Sequence, residues 1–126
     1  MDDIPKIVVL TDEKISPDLL KQLCDAWFDD MVKIVVDIET GHVAIGGSMH
    51  ADAESILIQN GSSQKNLWGA NVYPDLPADQ RIEYNALINI RPRDGNPEMK
   101  IQNPDVRERI KTFVEKLILA PDETLV

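Results

Sequence analysis

MHADAESILIQNGS, Met49 to Ser62, admits two readings, and the choice sets the number of strands in the fold. Ala51, Ala53 and Glu54 favour a helix, whereas Ile56, Ile58 and the turn-forming Asn60-Gly61-Ser62 favour a strand, Ser55 to Gln59, that enters a hairpin. The strand reading is adopted here. Leu67 to Tyr73 then returns beside it, and Ile82 to Ile90 supplies the last long strand beyond a proline-bounded loop.

Upstream, Met31 to Ile38 and His42 to Ile45 form a hairpin around Glu39-Thr40-Gly41, with Gly41 taking positive φ. His42, just past the turn, reads as an exposed imidazole. Gly46-Gly47 marks a bulge or bend, because it lacks the spacing of a phosphate-binding loop. Lys6 to Leu10 is short and apolar and reads as an interior strand. A helix follows it, with Ser16 as N-cap, Pro17 in the first turn, and Leu19, Leu20, Leu23, Cys24, Trp27 and Phe28 at helical spacing. At the other end Asn103 caps a helix whose stripe runs through Val106, Ile110, Phe113, Val114, Leu117 and Ile118 until Pro121. The expected architecture is a single α+β domain over residues 1–126: a largely antiparallel sheet of five or six strands, with the N-terminal and C-terminal helices packed on one face.

Thirteen basic residues against 22 acidic ones give a net charge of −9, which repels phosphate backbones and anionic lipid surfaces. Nucleic acid is an unlikely partner, and a nuclease is disfavoured with it. The charge is uneven. Residues 91–111 hold six basic and four acidic side chains, a net of +2, while the remainder, seven against eighteen, carries −11. The longest aliphatic runs are too short to span a bilayer, and the opening MDDIPK lacks the pattern of a secretory signal, so a soluble cytoplasmic protein is expected. The single cysteine, Cys24, lies on an apolar stripe and reads as a small buried hydrophobe rather than a catalytic thiol.

His50, Asp52 and Glu54 fall at every second position. On an extended segment all three share a face at a spacing of about 6.6 Å, and on a helix only His50 and Glu54 do. Neither the paired spacing of a zinc motif nor an EF-hand pattern is present, so no metal and no cofactor are expected. A proton-transfer role is open to His50 with the two acids. Arg91 and Arg93, alternating in NIRPRDGN, would point to one side of an extended segment and clamp a carboxylate or phosphate, with Asn89 and Asn96 adding neutral hydrogen-bonding groups. Arg107 lies about 55° from the centre of its helix stripe and can reach the sheet, while Arg109, four residues after Asp105, fits a solvent-side ion pair. Trp68, beside Gly69 and close to Asn71, could line a pocket or an interface.

The segments GGSMHADAES, NGSSQKNLWGANVYPD and IEYNALINIRPRDGN together resemble a family of small bacterial proteins of unknown function, frequent in cyanobacteria. The resemblance runs from the first strand to the last helix. It implies a bacterial cytosolic protein and singles out His50, Asp52, Glu54, Trp68, Gly69, Asn71, Arg91 and Arg93, but it carries no activity. Two functions are expected from the residues themselves. The leading one is a noncatalytic binding or assembly module that recognises a small anion or an acidic partner through Arg91, Arg93, Arg107 and Asn89. The alternative is an acid/base hydrolase using His50, Asp52 and Glu54 on an anionic substrate. An unpaired sheet edge and apolar helices in so short a chain also point to a homo-oligomer.

Overall fold

The computed structural model describes residues 7–125, so Lys6, the first residue of the expected opening strand, lies outside it. Five antiparallel strands form one sheet: β1 (Ile7–Leu10), β2 (Val32–Asp37), β3 (Val43–Gly46), β4 (Leu67–Val72) and β5 (Ile82–Glu83), in the order β1-β3-β2-β4-β5. Helices α1 (Pro17–Trp27), α2 (His50–Gln59) and α3 (Pro104–Leu117) cover it. No helix among the described residues is long and apolar enough to cross a membrane.

The β2–β3 hairpin forms as its sequence demands, with Ile34 opposite Ile45 and Val36 opposite Val43. Gly41 closes the turn at φ +84°, donating its N–H to the Asp37 carbonyl. Asp37 is buried, and its carboxylate accepts from the N–H groups of Glu39 and Thr40 and from the Ser62 hydroxyl. Burial pushes its pKa up, but these bonds outweigh burial and hold it below the usual aspartate value.

Alternation along the strands divides the core. Ile34, Val36, Val43, Ile45, Ala70 and Val72 face α1 and α3, meeting Leu20 and Leu23 of α1 and Ile110, Val114 and Leu117 of α3. Both helices thus lie on one face, as their stripes imply. Ser16 caps α1 by accepting from the Leu19 N–H, and Asn103 caps α3 by accepting from that of Asp105. Cys24 is buried on this face, and burial pushes its thiol up to about 11. Arg109 donates to the Ile38 carbonyl; among the described residues the ion pairs are Lys14–Glu123 and Lys21–Asp25, so the expected pair with Asp105 is absent.

The other face carries a helix where a strand was expected. Ser55–Gln59 belongs to α2, which lays Ala53 and Leu57 against Val35, Ala44 and Leu67. His50, Ala53 and Leu57 are its buried positions, a helical spacing. The decisive local signal was the Asn-Gly pair. Here it ends a helix: the Ser62 N–H bonds the Leu57 carbonyl, the Gly61 N–H bonds that of Ile58, and Gly61 stands at φ +104°, the paired bonds of a Schellman cap.

Two further strand expectations are corrected. β1 is an edge strand, not an interior one; its apolar run reflects helices on both faces, with Val8 packing toward α1 and α3 and Ile7 and Val9 toward α2. The span Ile82–Ile90 pairs with β4 only through Ile82 and Glu83. It then makes one bridge, Asn85 to Lys100, and enters a 3-10 turn at Leu87–Asn89, because a side chain rather than a strand completes the edge of β4 beyond it.

Candidate functional site

That side chain is Asn89, fully buried, whose Oδ1 accepts from the Gly69 N–H at 2.8 Å while its Nδ2 donates to the Gly69 carbonyl at 2.9 Å. One amide thus reproduces the two-bond pairing that a neighbouring strand would give Gly69. Nδ2 also reaches the Met99 carbonyl at 3.0 Å, so its two hydrogens are both committed to backbone. Asn96 does similar work on the loop that follows. Its Nδ2 donates to the carbonyls of Asn89, Glu98 and Lys100, and its Oδ1 accepts from the Gln102 N–H.

Gly69 is needed for a different reason. A Cβ there would stand 2.6 Å from Ala86 Cβ and 3.1 Å from His50 Cδ2. The bare backbone lets α2 and the 86–89 segment close together over the same face of the sheet. His50, in the first turn of α2, is buried by that approach, and its Nε2 donates to the Ala70 carbonyl at 2.9 Å. Bonding to a carbonyl fixes the Nε2–H tautomer and leaves Nδ1 as a lone pair. Burial lowers the pKa of the ring and Lys33 lowers it further, against the opposing effects of the Ala70 carbonyl and Asn71, so His50 is neutral at pH 7.

The acids do not converge on this histidine. Asp52 is exposed, and Glu54 lies close enough to Arg91 to favour its charged form. Helical geometry puts Asp52 about 200° around from His50, which the extended reading of this stretch had joined to it. Among the described residues no three His, Cys, Asp or Glu side chains cluster as metal ligands.

His50 instead lines a groove of about 480 Å³ with Lys33, Asn71, Glu83 and Asn85. Met49, Leu87 and Met99 stand around it, 55%, 69% and 44% exposed. Lys33 is opposite Asn71 in the β2–β4 register, and Asn71 is opposite Glu83 in β4–β5, so the three cross the sheet in one row. Asn71 Nδ2 donates to Glu83 Oε1 at 2.8 Å, while its Oδ1 is buried without a partner.

Arg91 and Arg93 rim a second hollow, of about 420 Å³, together with Lys65, Gln64 and Asp94; Ile88 lies between the two hollows and lines both. The segment is a 3-10 turn, Pro92–Asp94, rather than extended, so the arginines reach one hollow by a turn instead of by alternation. Arg91 lies over the Trp68 ring, 4.1 Å from its centroid, and donates to the carbonyls of Ile88 and Lys65. Its Nη2 and Trp68 Nε1 are buried without partners. Arg93 is exposed. Arg107 is elsewhere, in a hollow with Tyr73, Tyr84 and Lys100.

Sequence reasoning missed Lys33, Glu83 and the apolar rim of the groove, which come from distant segments and share no local pattern. It also passed over Arg81, only 3% exposed, which donates to the carbonyls of Leu76, Ala120 and Glu123. No curated protein and no solved structure matches the chain. A family model described as Protein of unknown function (DUF5674) matches residues 8–117.

Proposed function

Because the chain belongs to the DUF5674 family, which brings no reaction to map onto these side chains, we propose from geometry alone that it is a noncatalytic binding module whose seat for an anionic group is the Arg91–Arg93–Lys65 hollow. The observation that carries this reading is three basic side chains around one hollow in a protein of net charge −9. Arg91 is already positioned by Trp68 and by two carbonyls, so its order costs little on binding, and Nη2 still lacks an acceptor. A phosphate or carboxylate supplies that acceptor, whether free or on an acidic partner. Arg107 belongs to a different surface, and Asn89 is buried with its amide spent on the Gly69 and Met99 backbone.

The experiment is a titration with inorganic phosphate at low ionic strength, followed by amide chemical shifts. Saturable shifts at Lys65, Arg91 and Arg93 are expected, weakened at least tenfold by Arg91→Lys, which keeps the charge but loses the planar fork. Equal affinity in Arg91→Lys and Arg93→Ala, or shifts centred on Arg107, would overturn it.

The acid/base hydrolase has one observation in its favour, the Nδ1 lone pair of a neutral His50 at a groove. It predicts turnover of a simple phosphate or carboxylate ester that His50→Gln abolishes. Homo-oligomerisation is supported by β1, an edge strand whose outer side pairs with no strand among the described residues, and sedimentation equilibrium tests it.

A further inference from the structure

We propose that the groove between the first turn of α2 and the Glu83–Met99 segment is a second site, for a small zwitterion: an α-amino acid with an apolar side chain. The floor is electrically polarised. Lys33, Asn71 and Glu83 form a row of cation, amide and carboxylate across three adjacent strands. At about 4.8 Å per strand, their backbones span roughly 10 Å.

Each member of the row has spare capacity of a defined kind. The Lys33 ammonium sits over the Phe28 ring, 5.1 Å from the centroid, a contact that positions the charge without using an N–H donor. Glu83 Oε1 accepts from Asn71 and the carboxylate also faces the Tyr73 hydroxyl, which still leaves lone pairs on its two oxygens. That same bond fixes the Asn71 amide, since the reversed amide would set Oδ1 against the carboxylate. Oδ1 therefore lies beside the His50 ring without a hydrogen bond of normal geometry, on a side chain that is 6% exposed and lines the groove.

The first turn of α2 contributes positive potential at the same groove, lined by Ser48, Met49 and His50, and Met49 makes no side-chain cap bond. Lys33 and the helix terminus suit a carboxylate. Asn71 Oδ1 and Glu83 suit an ammonium. Neither a simple anion nor a simple cation satisfies both ends, whereas a zwitterion does, and Met49, Leu87 and Met99 receive its apolar side chain. A volume of about 480 Å³ falls in the range of small-molecule sites. Methionine-rich walls adapt to side chains of differing shape.

The test uses three probes of one skeleton: L-leucine, 3-methylbutylamine, which lacks the carboxylate, and 4-methylpentanoate, which lacks the amine. Binding to the intact protein is followed by amide shifts at His50, Asn71 and Glu83. Leucine should bind at least fivefold more tightly than either truncated probe. Glu83→Gln keeps an acceptor for Asn71 and should weaken leucine and the amine several-fold while sparing the carboxylate. Lys33→Gln should do the reverse. Equal affinities for the three probes would mean a merely apolar crevice, preference for either truncated probe would mean a site of one charge, and no binding would mean no site; each overturns the proposal. Arg93→Ala, which alters the other hollow, should leave leucine binding unchanged and so separates the two readings.

Discussion

Replacing Asn89 by aspartate tests the idea that one amide stands in for a strand. The change is nearly isosteric, and it keeps Oδ1 as acceptor for the Gly69 N–H. It removes the Nδ2 hydrogens that reach the carbonyls of Gly69 and Met99 at 2.9 and 3.0 Å. A protonated aspartic acid restores one of these bonds and forfeits the other, the Met99 carbonyl keeping the Ala86 N–H at 3.2 Å while the Gly69 carbonyl has no such second donor among the described residues, at a cost of about 1–2 kcal/mol. An ionised one faces two carbonyl oxygens in a site shielded from water. Its folded pKa therefore rises well above the unfolded value near 3.9, and the folded state holds the proton longer. Stability must then fall as pH rises between the two values, by about 1.4 kcal/mol per pH unit, and level off above the folded one. A shift of about 3 units brings the total loss to about 5–6 kcal/mol at pH 7, comparable to the whole stability of a small domain. Urea unfolding from pH 5.5 to 7.5, above the pI of about 4.5, measures it by tryptophan fluorescence. Asn89→Ala should lose about 3 kcal/mol with no added pH dependence. An aspartate variant within about 1 kcal/mol of the parent at pH 7, or a loss that ignores pH, would refute the reasoning.

Gly69→Ala should destabilise by about 1–3 kcal/mol in the same assay, because a Cβ at 2.6 Å from Ala86 Cβ forces α2 or the 86–89 segment outward; a neutral result would show that the layers yield freely. His50 has a folded pKa below its unfolded one, so its contribution is complete above about pH 6.5 and is lost as pH falls through the lower folded value. His50→Gln should accordingly flatten the acid limb of the stability profile, and a limb of unchanged slope would discount the histidine. Cys24, with its thiol pushed up to about 11 and its side chain buried, should resist a disulfide reagent at pH 8 until the protein unfolds; rapid native labelling would contradict its burial.

What the sequence disclosed follows the range of the interactions involved. α1 and α3 were legible because their caps and stripes are local, and the β2–β3 hairpin because Gly41 sits where the turn requires positive φ. α2 was misread because an Asn-Gly pair serves a hairpin turn and a Schellman cap alike, and only the burial of Ala53 and Leu57 against the sheet distinguishes them. The Ile82–Ile90 span misled for the opposite reason. Leu87 and Ile90 are apolar yet exposed, and Asn89 bonds Gly69 twenty residues away. His50, Asn71, Arg91 and Arg93 could be named as polar residues in distinctive motifs, but their division between two hollows depends on Lys33, Lys65 and Glu83, which nothing local marks.

Arg81 has a consequence for the order in which the molecule is assembled. Its guanidinium leaves the site of synthesis 39 residues before Ala120 and 42 before Glu123, whose carbonyls it requires for burial. Until those residues follow, the charge must stay in water, and the bond from the Tyr73 N–H to the Arg81 carbonyl that continues the β4–β5 pairing has no firm anchor. On a growing chain, β1 to β4 and α2 are therefore expected to gather first, with β5 and its loop left loose beside them. The arrival of α3 and the segment after it fastens that edge. Hydrogen exchange on chains halted at residue 119 should find the 73–83 amides open and the β2–β4 amides protected.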